Sequence, residues 1–260
     1  MPVKISLEQK NVDRIAALVA GPSEKLFSGN SDLGFLYWGA DLHLLEASDP
    51  PTEDDLLQNI TEGNDLGLDC YYIDSDEQTI WLFQSKFRYK PGNIPHKEVA
   101  DFLRVPSRLV DPRVLSAITN TKLLDFAPVF KMSLLEGMQL KLVYFTTERT
   151  HRIVEAEIQN WVQLPLHLLV GGQELEIKHA AVLSDLTDLL TRSDSLTSAK
   201  PVDSDLRLAP TYWHEAAPKS GFKCLMATVE LEELAKLFNT YKYSLFRDNP
   251  LLLNQSINPI

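Results

Sequence analysis

The residues that could do chemistry gather in one stretch, GNDLGLDCYYIDSDEQTIWLFQSKFRY, residues 63 to 89. Asp69 stands near the start of one apolar run, and Gln84 and Lys86 stand near the end of the next. Polar side chains in otherwise buried strands are costly unless they are partnered or used. A carboxylate oxygen and an amide oxygen are hard ligands for Mg²⁺ or Mn²⁺, which take few protein ligands and keep several waters. A lysine beside them can orient an attacking water and offset charge on a pentavalent phosphate. The reaction this set fits is phosphodiester hydrolysis, with Asp69, Gln84 and Lys86 as catalytic residues and Asp69 and Gln84 as metal ligands. The same residues could also satisfy one another, as an Asp–Lys ion pair beside a hydrogen-bonded glutamine. Spacing alone favours this second reading, because Asp…Gln-x-Lys is short and common.

For the three to meet, the runs Leu68–Asp74 and Thr79–Phe87 must form an antiparallel hairpin. Ser75-Asp76-Glu77-Gln78 would close it, a common loop length. That register pairs Asp74 with Thr79, Ile73 with Ile80 and Tyr71 with Leu82, and continued it sets Asp69 opposite Gln84. Strand side chains alternate, so Asp69, Gln84 and Lys86 are expected on one face, at its open end, above Tyr71, Ile73, Ile80 and Leu82. Leu68, Cys70, Tyr72, Trp81 and Phe83 would take the other face. Both faces are apolar, so the hairpin is expected to be central and covered on both sides. A slip of one residue would undo the cluster.

Around the hairpin, the pattern predicts helices over Leu7–Phe27, with a break at Gly21-Pro22, and from an Asp32 cap through Leu45. Thr52-Glu53-Asp54-Asp55 starts a short helix to Ile60. Helices are expected over His96–Arg104, Arg113–Leu124, Val154–Trp161 and Ala180–Thr191, and strands over Gln139–Phe145 and Leu164–Val170. Residues 193 to 205, SDSLTSAKPVDSD, read as a linker. Beyond it, Phe222–Val229 reads as strand and Glu230–Phe246 as helix. This order is that of an α/β domain with a mixed sheet.

At 260 residues the chain can bury a sizeable core, and its two cysteines, Cys70 and Cys224, form neither a disulfide framework nor a zinc spacing. The six histidines show no ligand spacing, and Gly171-Gly172 lacks the residues of a phosphate-binding loop. Asp65 reads as a turn former. No apolar run suits a membrane helix and no secretory signal is visible, so a cytoplasmic protein with no membrane partner is expected. A net charge of −11 argues against indiscriminate nucleic-acid binding. Locally, however, Lys86 to Arg113 holds seven basic residues against three acidic. Of these, Arg88, Lys90, Lys97, Arg104 and Arg108 are the candidates for tracking phosphates.

The stretch Gly63-Asn64-Asp65-Leu66-Gly67-Leu68-Asp69, then strand, turn and Ile80-Trp81-Leu82-Phe83-Gln84-Ser85-Lys86, resembles the core of PD-(D/E)XK nucleases. More narrowly it resembles the Mrr-like branch, whose pattern runs G-x-D-x-G-I-D, strand, Q-x-K. The resemblance implies a restriction-endonuclease-like αβββαβ core with a mixed central sheet, a metal-binding Asp69 and a catalytic Lys86. Gln84 stands where Asp or Glu is usual, so one negative charge is missing and metal affinity should fall. Many members carry a glutamate on the helix before the hairpin. Here that helix offers Asp41 and Glu46, neither in a recognisable motif. The strand before Asp69 would be tiny, around Ile60.

At the other end, LEELAKLFNTYKYSLFRDNPLLLNQSIN, 231 to 258, resembles abortive-infection phage-resistance (AIPR) proteins, with Leu251 where their arginine is expected. Together the resemblances imply a nuclease-like domain over 30–171 with the helix 7–27 packed on it, and an accessory α/β segment over 172–260. The function they imply is Mg²⁺- or Mn²⁺-dependent hydrolysis of DNA in bacterial phage defence, with RNA as the open alternative substrate and a homodimer as one assembly. A nuclease-fold module without catalysis, binding nucleic acid or protein, is the competing expectation. A third is an assembly protein docking through 205–260.

Overall fold

A computed structural model describes residues 6–45, 47, 50–61, 63 and 66–197. Helix α1 (Leu7–Phe27) starts at Ser6, whose hydroxyl accepts from the Gln9 amide, and ends at Ser28 in the left-handed conformation. It runs unbroken through Pro22, contrary to the expected break, and buries Val12, Ile15 and Val19. Helix α2 (Ser31–Leu44) is capped by Asn30, two residues before the expected cap, because the Asn30 side chain accepts from both Asp32 and Leu33 amides. Two glycines let α2 fit between its neighbours. A Cβ on Gly34 would lie 1.9 Å from Ser23 Oγ of α1, and one on Gly39 would lie 2.1 Å from the Phe145 ring. A capping box between Thr52 and Asp55 opens α3 (Glu53–Gln58).

Strands β1 (Cys70–Asp74) and β2 (Thr79–Lys86) form the expected hairpin, with Asp74 opposite Thr79, Tyr71 opposite Leu82 and Cys70 opposite Phe83. The turn fixes that register. Asp74 Oδ1 accepts from the amides of Asp76 and Glu77, both at 3.0 Å, and Gln78 takes a positive φ of 51°. Ile60 makes a single antiparallel bridge to Cys70, so the strand before the hairpin is one residue long.

Helices α4 (His96–Phe102), α5 (Val105–Val110), α6 (Pro112–Leu115) and α7 (Thr121–Leu135) carry the chain over to β3 (Gln139–Thr146), which pairs parallel with β2. The helix expected over Arg113–Leu124 is two. Asn120 caps α7 by accepting from the Leu123 amide, and α7 continues to Leu135. After α8 (Arg152–Gln163) come β4 (Leu166–Val170), β5 (Gln173–Ile177) and β6 (His179–Ser184), then α9 (Leu186–Thr197). The helix expected over Ala180–Thr191 is therefore corrected. His-Ala-Ala-Val-Leu-Ser is alanine-rich, but parallel pairing with β3 makes it a strand, as tertiary context overrides weak local propensity.

The main sheet runs β1-β2-β3-β6, mixed parallel and antiparallel, and β4–β5 form a separate two-stranded sheet. Apolar clusters cover both its faces. Ile80, Leu82, Leu140, Leu142 and Tyr144 pack with α4, α5 and α7 on one side; Cys70, Trp81, Phe83, Val143 and Phe145 pack with α1, α2 and α9 on the other. Each such side chain contributes about 1.5–3 kcal/mol when buried, so a slipped register is strongly disfavoured. Leu68 joins the first cluster, not the second with Cys70 as expected, because strand alternation has not begun at that residue.

The first compact unit ends at Ser193, the start of the expected linker. The expected boundary at 171–172 falls in the turn of the β4–β5 hairpin. The readings over 222–229, 230–246 and 231–258 lie outside the described residues. Among the described residues no helix is long and apolar enough to cross a membrane.

Candidate active site

The approach to Asp69 is a strained turn held from several sides. Leu66 and Gly67 both have positive φ, 61° and 86°. The left-handed region disfavours a side chain such as that of Leu66, so something must hold it there. Arg108 of α5 donates to the Leu66 carbonyl at 3.1 Å and to Asp101 at 3.1 Å. The Thr61 hydroxyl donates to the Leu68 carbonyl, Asn120 to that of Gly63 and Lys122 to that of Ile60. The Asp69 backbone is fixed on both sides, its amide donating to Phe83 and its carbonyl accepting from Thr61, each at 2.9 Å.

The Asp69 carboxylate reaches across to β2. Its Oδ2 accepts from the Ser85 amide at 2.7 Å and from the Ser85 hydroxyl at 3.2 Å. Asp69, Ser85, Lys86 and Arg88 line a cleft of about 340 Å³ whose other wall is the start of α2, with Asp32 and Leu36. At Lys86 the backbone is held to β3, the Thr146 hydroxyl donating to its carbonyl at 2.7 Å.

Gln84 is not among the side chains lining this cleft. It is 6 % exposed, on the Ile80–Leu82 side of β2, and its Oε1 has no hydrogen-bond partner among the described residues. Gly67 packs directly against it, so that a Cβ there would lie 3.1 Å from Gln84 Nε2. Of the expected triad, then, Asp69 and Lys86 share the cleft and Gln84 lies beside it. The physical reason is that Asp69 precedes β1 and its carboxylate turns to Ser85, off the face that strict alternation would give it.

Asp32 and Ser85 are cleft residues that the sequence reading passed over. Asp32 looked like a helix cap, and its position in the first turn of α2 was the available signal. The helix acid considered instead, Asp41, is not among the cleft's lining; burial, then the nearby Glu53, pushes its carboxyl up to about 6. Glu46 and Asp65 lie outside the described residues.

The basic candidates divide. Arg88 lines the cleft, while Arg108 spends its guanidinium on Leu66 and Asp101. Arg104 also pairs with Asp101, at 3.6 Å, and Lys90 and Lys97 are exposed.

Among the described residues no group of three or more His, Cys, Asp or Glu could hold a metal ion. The acidic residues that line the cleft, Asp32 and Asp69, carry hard carboxylate oxygens. One or two carboxylates with retained waters and substrate phosphates are the usual protein share of a Mg²⁺ site, so the set fits that ion and not a thiophilic one. Comparison of the chain with protein-family models, with curated proteins and with solved structures gave no match.

Proposed function

We propose that this chain carries a metal-dependent endonuclease domain of the PD-(D/E)XK type, hydrolysing DNA phosphodiesters in bacterial phage defence. The observation that carries the reading is that Asp69 and Lys86, from the two arms of one hairpin, line a single cleft with Arg88 and Asp32. The element order supports a restriction-endonuclease-like αβββαβ core: a helix, the Ile60 bridge, the hairpin, a helical crossover and a parallel strand. The phage-defence part rests on the resemblance of 231–258.

In this reading Asp69 and Asp32 would hold Mg²⁺ or Mn²⁺, which when bound would supply Lewis-acid polarisation of a phosphate oxygen. Lys86 would orient the attacking water and offset charge building on the phosphate. Arg88 would hold a backbone phosphate, as Arg does bidentately. A double-strand break needs two such sites, so a homodimer is the assembly proposed with it.

Gln84 favours a second reading. With that residue turned under Gly67, the cleft has fewer ligands than a full nuclease site, and the domain would then bind nucleic acid or protein without cleaving. Incubation of the protein with supercoiled plasmid and with single-stranded DNA in Mn²⁺ or Mg²⁺ separates the two. Nicked or linear product supports the nuclease; intact DNA with retained binding supports the second reading.

A further inference from the structure

At the edge of the cleft it lines, Arg88 sits between two carboxylates from different elements. Its Nη2 lies 3.4 Å from Glu98 Oε1, in the first turn of α4, and its Nε lies 3.9 Å from Glu148 Oε2, just after β3. Both separations are long, since charge-assisted pairs run at about 2.7–2.9 Å. The backbone beneath is fixed, by contrast. The Arg88 amide donates to the Thr147 hydroxyl at 2.7 Å, and that hydroxyl donates to the Arg88 carbonyl at 2.8 Å. Arg88 thus has a fixed root and a loosely held head, with 46 % of its side chain exposed.

Glu148 is built differently. It is 8 % exposed, and its Oε2, the atom facing Arg88, accepts no hydrogen bond from the described residues. Gly92 packs against its other oxygen, where a Cβ would come within 3.1 Å. The groups around it are Arg88 from the β2 end, Glu98 from α4 and Tyr144 from β3, whose hydroxyl donates to Glu98 at 3.2 Å. Its chain neighbour Arg149 turns away to Glu8 of α1, and His151 to the Ile94 carbonyl. Asp185, from the β6–α9 junction, is taken up by the amides of Thr150, Thr187 and Asp188. Two carboxylates therefore share one loosely placed arginine, and one of them is buried with an oxygen to spare.

We propose that a phosphate of the nucleic-acid backbone draws Arg88 away from Glu98 and Glu148, and that Glu148 takes up a proton as this happens. The inference rests on reading the cleft as a nucleic-acid site. Its physical content is charge balance: an anion arriving beside two carboxylates that lose their cation is repelled unless one of them is neutralised. Glu148 is the one placed to accept the proton on Oε2. Burial already raises its pKa above the ordinary carboxylate value, Glu98 raises it further, and Arg88 opposes the rise. Removing Arg88 removes that opposition.

The test is fluorescence anisotropy of a short labelled DNA duplex, without metal and at constant ionic strength, between about pH 5.5 and 8. Wild type is compared with E148Q and with R88Q. A single linked proton strengthens binding as pH falls, by at most about tenfold per pH unit. Wild type is expected to show several-fold of this, E148Q to lose most of it, and R88Q to bind weakly with the same loss. R88Q alters a half-exposed side chain, so it reads the linkage even if E148Q fails to fold. A pH dependence equal in wild type and R88Q overturns the inference while leaving the cleft reading intact. No DNA binding by wild type at any pH overturns both.

Discussion

The carboxylate of Asp69 accepts from the backbone amide of Ser85 at 2.7 Å, so the residue proposed as a metal ligand also ties the entry of β1 to the exit of β2. Its loss should therefore be felt in stability as well as in metal binding. Asp69→Ala leaves a part-buried amide without its charged acceptor and is expected to cost about 1–3 kcal/mol in urea unfolding. Ser85→Ala removes the hydroxyl bond alone and should cost under about 1 kcal/mol. Equal costs for the two variants would show that the carboxylate has little hold on the strand.

The hairpin register was readable because the four-residue loop and the apolar runs agree, and Asp74 closes the turn as such residues do. The tiny strand at Ile60 was also legible, from the lack of room before Asp69. Gln84 takes the expected Ile80–Leu82 face of β2, but the direction of the Asp69 side chain was not legible. It depends on where alternation begins and on the Ser85 amide, neither of which residue spacing encodes. Asp32 stayed hidden because an acid in a first helical turn ordinarily serves the dipole, and only the packing of α2 beside β2 brings it to the cleft. The strand β6 was missed because its place is set by β3, a partner nearly forty residues earlier in the chain.

Gly67 is required twice, by its positive φ of 86° and by the Gln84 amide 3.1 Å from where a Cβ would stand. Gly67→Ala is expected to destabilise the domain by about 1–2 kcal/mol from the backbone term alone. The check is the midpoint of urea unfolding; an unchanged midpoint would mean that the turn relaxes freely and does not seat Gln84.

Arg108 and Arg88 should behave differently on DNA. Arg108 braces the Leu66 turn, whereas Arg88 faces the cleft. R88Q is expected to lower the salt-dependence slope of binding by about one, the signature of one lost phosphate contact. R108Q should leave the slope unchanged and cost about 1–2 kcal/mol of stability instead. Slopes in the reverse order would exchange the two assignments.

Two groups on α2, the buried His43 and the partly buried Asp41, give stability a pH dependence of opposite sign. The Asp41 carboxyl is raised from 3.8 to about 6, so it favours the folded state while protonated; that stability is present below 3.8 and lost as pH rises through about 6. His43 is lowered from 6.5 to about 3, chiefly by burial, so its contribution is present above 6.5 and lost as pH falls towards 3. Asp41→Asn should therefore stabilise the protein near neutral pH by about 1–2 kcal/mol, and His43→Leu should flatten the acid side of the profile. Urea midpoints across the pH range check both, and a wild-type profile unaltered by either substitution contradicts the assignment.

The most direct test of the central claim is cleavage of plasmid and single-stranded DNA with Mg²⁺ or Mn²⁺ by wild type, Asp69→Ala and Lys86→Ala, each verified as folded. The expected result is metal-dependent product from wild type and a fall of at least about 10²-fold in rate for both variants. Lys86→Ala should still bind the metal when titrated by calorimetry, and Asp69→Ala should not. Equal cleavage by all three proteins, or none by wild type with either ion, would contradict the assignment of this cleft as a nuclease site.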